Sequence, residues 1–215
     1  MSRPLILTDC DEVLLHMVGP FRDWLGEDHG IRFDMGRENF ARAMTHAETG
    51  EPVAHEDIWR LLELFFDDQM HRQYPVPGAV AAMTELADHA DVVVLTNLKD
   101  HRNARRTRQL AELGLDLRVF TNQGPKGPAL KAIVEDYRPS RAVFIDDLAV
   151  HHGSVSEVAP QVFRLHFCGE PLLAPNIACA HQAGHAHARI DAWEHAVPWL
   201  LDRLTLNTED LDDRR

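Results

Sequence analysis

Cationic residues are scarce in this chain. Its 215 residues hold 22 Lys and Arg against 34 Asp and Glu, for a net charge of −12. A surface that negative repels phosphodiester backbones and anionic lipid, which excludes nucleic-acid grip and membrane-surface binding as global roles. A metal ion or a few cations in one cleft can still reverse the field locally. Cysteine is also sparse: Cys10, Cys168 and Cys179 are odd in number and lack metal-ligand spacing, arguing against a disulfide framework or a cysteine zinc site. Long apolar runs are missing, since none approaches the roughly 18 to 20 residues of a membrane span. Neither Gly-x-Gly-x-x-Gly nor Gly-x-x-x-x-Gly-Lys-Ser/Thr occurs, which disfavours dinucleotide binding and a nucleoside-triphosphate loop. No internal repeat or low-complexity linker is found.

What is present reads as a globular protein, with 45% hydrophobic and 26% charged residues. Met1-Ser2-Arg3-Pro4 leads directly into an apolar run, so no cleaved leader and a cytoplasmic location are expected. Short apolar runs end in polar residues at Leu5 to Thr8, Val92 to Leu95, Leu117 to Phe120 and Ala142 to Ile145, and a fifth run spans Val162 to Leu165. Helical patterns over 79–89, 101–113, 128–137 and 149–158 alternate with them. The expected fold class is α/β, a Rossmann-like parallel sheet with helices on both faces. Residues 15–74 break the rhythm, with apolar positions at helical spacing and no strand pattern, and are expected to form a small α-helical cap domain. The expected division is a core of 1–14 and 75–204, the cap at 15–74, and a polar tail at 205–215. Asp191 to Leu204 reads as an amphipathic helix packed on the core.

In an open parallel sheet, reactive groups gather at the carboxyl ends of strands. Here Asp9 and Asp11, Thr96 and Asn97, and Asp146 and Asp147 follow buried apolar runs. Clustered carboxylates there are costly unless a cation sits among them. Four motifs occur in order: Leu5-Ile6-Leu7-Thr8-Asp9-Cys10-Asp11-Glu12-Val13, then Val92-Val93-Val94-Leu95-Thr96-Asn97, then Lys126 opening a helix, then Ala142-Val143-Phe144-Ile145-Asp146-Asp147. Over about residues 4 to 166 this series, with its helical insertion, resembles the haloacid dehalogenase superfamily of phosphohydrolases.

That resemblance implies a Mg2+-dependent phosphohydrolase acting on a small-molecule phosphate ester. Asp9 would attack phosphorus and form an aspartyl phosphate. Asp11 would act as general acid and base, and its presence favours phosphoryl transfer over carbon–halogen cleavage. Asp9, Asp11 through its backbone carbonyl, and Asp146 would hold Mg2+. Thr96, Asn97 and Lys126 would bind phosphate oxygens, and Asp147 would orient Lys126 or a metal-bound water. Two departures stand out: Glu12 occupies the position where such phosphatases commonly have Gly, and Gly124-Pro125-Lys126-Gly127-Pro128 matches the Lys-Pro pattern loosely. The offset of 20 residues from Asp146 favours Lys126 over Lys99 or Lys131.

Other clusters read more plainly. His181, His185 and His187 fit an exposed loop better than a metal site. His151 and His152 are expected mostly on a helix surface, with one of them available to the cleft. Cys10 reads as a small buried residue, and Trp24, Phe40 and Trp59 as cap core. Arg102, Arg105, Arg106 and Arg108 read as a solvated face. A phosphorylation-switch receiver domain also clusters Asp, Thr and Lys, but its phosphorylated Asp follows the third strand, where this chain has Thr121. A binding protein that keeps the fold without turnover is the other alternative, and Glu12 alone supports it. Oligomeric state has no readable signal.

Overall fold

The computed structural model describes residues 2–37 and 42–205. Six strands form one parallel sheet: β1 (Leu5–Thr8), β6 (Asp91–Thr96), β7 (Arg118–Thr121), β8 (Ala142–Asp146), β9 (Phe163–His166) and β10 (Ala188–Arg189). Their order across the sheet is β10-β9-β8-β1-β6-β7. The strands pair in parallel, with Leu7 opposite both Val93 and Phe144. Such strands are buried on both faces, which is why they read as continuous apolar runs.

Successive side chains point to opposite faces, and two separate clusters follow. Ile6, Val94, Val143 and Ile145 pack under α3 (Ala79–His89), α4 (Asn103–Glu112) and α7 (Trp193–Thr205). Leu5, Leu7, Val93 and Phe144 pack under α5 (Gly127–Tyr137) and α6 (Ala149–Val158). The α/β sandwich expected from the sequence is thus the observed architecture. The short β10 is an addition, since a two-residue strand leaves no periodicity to read. Among the described residues no helix is long and apolar enough to cross a membrane. The expected tail at 205–215 lies outside the described residues except for Thr205, which closes α7.

Between β1 and α3 lies an insert with its own apolar cluster, built from α1 (Val18–His29) and α2 (His55–Asp68) around Phe21, Trp24, Ile58 and Phe65. It is not purely helical, contrary to the sequence expectation. Strands β3 (Ile31–Phe33) and β4 (Met44–His46) pair antiparallel. Three alternating residues are too few to register as a strand pattern beside the flanking helices. A second ribbon, β2 (Leu15–His16) with β5 (Tyr74–Pro75), joins the two ends of the insert. Trp59 is 47% exposed, and its indole N–H donates to His55. It is therefore not core as expected, while Trp24 is; Phe40 lies outside the described residues.

Arg102 ties the insert to the sheet domain. It is 4% exposed and paired with Glu63 at 2.6 Å and Asp67 at 2.7 Å, both on α2. Leu98, just after β6, joins the apolar cluster of the insert.

Candidate active site

The sheet order places β6 and β7 on one side of β1 and β8 and β9 on the other. The direction in which strands are added therefore reverses around β1, and a crevice opens at the carboxyl ends of the central strands. Asp9 follows β1, and its backbone N–H donates to the carbonyl of Ile145 at 2.8 Å, extending the ladder by one residue. Asp146 ends β8 and Thr96 ends β6.

Lys126, buried in the loop before α5, stands between two carboxylates. Its Nζ lies 2.8 Å from Asp9 Oδ1 and 2.7 Å from Asp146 Oδ2. The backbone explains how a lysine reaches so deep. Gly127 has no room for a side chain, because a Cβ there would lie 2.5 Å from the carbonyl oxygen of Ser154 on α6. Close helix approach thus pins the residue next to Lys126. Of the alternatives, Lys99 is exposed and paired with Glu63, and Lys131 is exposed on α5, so neither joins the carboxylates.

Burial raises the Asp9 carboxyl to about 7, Lys126 opposing the shift and Asp146 and Asp11 adding to it. In Asp146 the same burial penalty is outweighed, chiefly by the Lys126 charge, and its carboxyl sits below the ordinary range. Asp147 lies well above that range, through burial and then the Asp146 and Asp9 charges. Lys126 is raised despite burial, because both carboxylates favour its charged form. One oxygen from each of Asp9, Asp146 and Asp147 falls within 4.8 Å of the others. Three oxygen donors, two of them with pKa values raised by burial and then by mutual repulsion, suit a hard divalent cation.

Thr96 is buried, and its hydroxyl has no hydrogen-bond partner among the described residues. Asn97 is exposed at the rim, where its amide donates to the Gly124 carbonyl at 2.9 Å and accepts from Asn122 at 2.8 Å. Asp11 turns to a different set of partners. Its Oδ1 accepts from Gln73 at 2.7 Å and from Arg106 at 3.0 Å, and among the described residues Oδ2 accepts no hydrogen bond.

Arg106 is the residue sequence reasoning misses. It is 0% exposed, contacts Cys10 and Gln73 as well as Asp11, and is not on a solvated face. Arg102 corrects in the same way, while Arg105 and Arg108 are exposed as expected. A signal exists: Arg102, Arg106 and Leu110 are four residues apart, on one face of the helical segment. Cys10 is buried as expected, and burial pushes its thiol up to about 12.

His151 and His152 are buried rather than on the helix surface, because the first turn of α6 tucks under the end of β8. His152 Nε2 is 2.9 Å from the Asp146 carbonyl oxygen, and burial lowers its pKa to about 4. His181, His185 and His187 lie in an exposed loop, where His187 Nδ1 accepts from the Arg164 backbone.

Glu12 takes a left-handed backbone conformation, with φ at +58°, where glycine is easiest. Its side chain turns inward, and Oε1 accepts the backbone N–H groups of Met17 and Val18 at the start of α1.

No protein-family model and no curated protein matches the chain by sequence. Solved structures do match over nearly its full length. A conserved haloacid dehalogenase-like protein of unknown function from Agrobacterium tumefaciens superposes with a TM-score of 0.66 at 17% identity, covering 95% of this chain and 100% of that one. A haloacid dehalogenase family hydrolase from Deinococcus radiodurans, solved with bound phosphate and sodium, gives 0.63 at 18% identity over 96% and 98%. A candidate phosphoglycolate phosphatase from Lactobacillus delbrueckii gives 0.63 at 15% identity over 93% and 99%. This chain has the haloacid dehalogenase-like fold.

Proposed function

We propose that the protein is a Mg2+-dependent phosphohydrolase acting on a small phosphorylated metabolite in the cytoplasm. The observation that carries this reading is Lys126 bridging Asp9 and Asp146 at the mouth of the sheet, with the unpartnered Thr96 hydroxyl at the adjacent strand end. Asp9 attacks phosphorus, the bond to the leaving oxygen breaks, and Asp11 delivers a proton to that oxygen. Asp11 then takes a proton from water as the water displaces Asp9 from phosphorus. Arg106 and Gln73 hold one oxygen of Asp11 and leave the other for this transfer. Lys126, Thr96 and Asn97 bind the phosphoryl oxygens, as suits a reaction that depends chiefly on positioning and electrostatics.

Asp9 and Asp146, with Asp147 beside them and the Asp11 carbonyl, would hold the metal. When bound, Mg2+ offsets the repulsion between an anionic nucleophile and an anionic phosphate. The insert serves as a cap over the leaving group. A receiver-type switch is disfavoured, because the strand after β6 ends in Thr121 and an insert interrupts the sheet. Incubation with Mg2+ and a broad panel of phosphate monoesters tests the proposal. Phosphate release that Asp9→Asn abolishes is expected; release no higher than from the variant would overturn it.

A further inference from the structure

A second group of metal-ligating side chains lies outside the Asp9 cluster, at the base of the insert. Glu12 follows β1, His16 is in the ribbon strand β2, and Glu170 is in the loop after β9. All three are buried, and one ligand atom from each falls within 4.8 Å of the others. His16 Nδ1 is 3.5 Å from Glu12 Oε2 and 3.6 Å from Glu170 Oε2.

Those separations are too long for hydrogen bonds, which run from about 2.7 to 3.2 Å. Among the described residues neither Glu12 Oε2 nor His16 Nδ1 has a hydrogen-bond partner, in residues 1% and 5% exposed. Buried polar atoms left in that state are costly. The other carboxylate oxygens are committed: Glu12 Oε1 takes the start of α1, and Glu170 Oε1 takes the Leu172 backbone N–H. One oxygen of each glutamate and one ring nitrogen thus face a shared point. Ligands about 2.1 Å from a tetrahedral ion stand about 3.4 Å apart, close to the separations seen here. A small octahedral ion such as Mg2+ would draw them nearer, and an imidazole among carboxylates favours a transition metal over Mg2+ or Ca2+.

We infer that Glu12, His16 and Glu170 form a second metal site, which takes a Zn2+ ion with water as the fourth ligand. The ion ties the turn after β1 and the loop after β9 to the ribbon through which the chain enters and leaves the insert. It also accounts for a glutamate at a backbone position that favours glycine.

The test uses the full chain, stripped with chelator and titrated with Zn2+ in saturating Mg2+. Wild type is expected to retain one equivalent of Zn2+ after desalting and to unfold at a higher temperature with it. Asp146→Asn should keep both properties. Glu170→Gln, which preserves the acceptor for Leu172, should bind Zn2+ at least about tenfold more weakly, since even outer-shell partners of a metal are worth that much. His16→Gln should do the same should Glu170→Gln fold poorly. No retained Zn2+ in wild type, or retention that Asp146→Asn abolishes and Glu170→Gln spares, would overturn the site.

Discussion

Arg106 extends from α4 into the interior and sets a guanidinium nitrogen 3.0 Å from Asp11 Oδ1, with no surface of its own exposed. One buried cation here serves Asp11, Gln73 and Cys10 through a fixed fork. Arg106→Met should cost about 3 to 5 kcal/mol, because it leaves a partly buried carboxylate without its partner. Pairing it with Asp11→Asn should cost less than the sum of the two single changes. Denaturant unfolding of the three variants measures this. Arg106→Lys, which keeps charge but loses the fork, should fold and turn over about 100-fold more slowly as Asp11 loses its position.

Lys126 is the only cation in contact with Asp9 and Asp146 among the described residues. Lys126→Met should destabilise the metal-free protein by about 3 kcal/mol at pH 7. Saturating Mg2+ should restore part of that stability, since it replaces the missing charge. It should not restore phosphate release if Lys126 also binds the phosphoryl group, as proposed. Thermal unfolding with and without Mg2+, beside phosphate release, separates the two effects. Full recovery of turnover would contradict the assigned role.

The strand ends are legible in the sequence because burial on both faces makes Leu5–Thr8 and Ala142–Asp146 continuous apolar runs that stop at carboxylates. Lys126 is legible from its distance to Asp146 along the chain. Arg106 and Arg102 leave only their four-residue spacing with Leu110, because a charged side chain reads as solvated until tertiary contact supplies its partners, here Asp11 from 95 residues away and Glu63 from another helix. Glu12 stands out in the sequence only as a departure. That its carboxylate turns inward to the start of α1 depends on a left-handed backbone angle that local propensity does not encode.

Thr96 sets stability against binding. Its buried hydroxyl has no partner among the described residues, a state that costs roughly 1 to 3 kcal/mol. Thr96→Val keeps the shape and removes the unpaired group, so the free protein should gain about 1 kcal/mol in denaturant unfolding. With Thr96 in its proposed phosphate-binding role, phosphate release should fall at least tenfold. A variant that loses stability would show that the hydroxyl is satisfied in the free protein.

Gly127 allows α5 and α6 to approach. A Cβ there would meet both the Ser154 hydroxyl and, at 2.5 Å, its carbonyl oxygen. Gly127→Ala should therefore cost about 1 to 3 kcal/mol and shift Lys126. Adding Ser154→Ala should not rescue it, because the backbone clash persists. Rescue by the double variant, in unfolding or in turnover, would move the constraint to the serine side chain.

His152 gives the fold an acid limit. Burial lowers its pKa from 6.5 to about 4, so the folded chain holds it neutral. Between those values the unfolded chain binds more protons, and stability therefore rises with pH across the window. The contribution is complete above the unfolded value and is lost as pH falls toward the folded one. From pH 7 to pH 5 His152 alone should cost about 2 kcal/mol, against the opposite trend from Asp9, whose raised carboxyl favours the folded chain as pH falls. His152→Gln, which keeps a donor for the Asp146 carbonyl, should flatten that dependence in denaturant titrations at the two pH values. An unchanged slope would assign the acid sensitivity to His151, His166 and His187, whose pKa values burial also lowers.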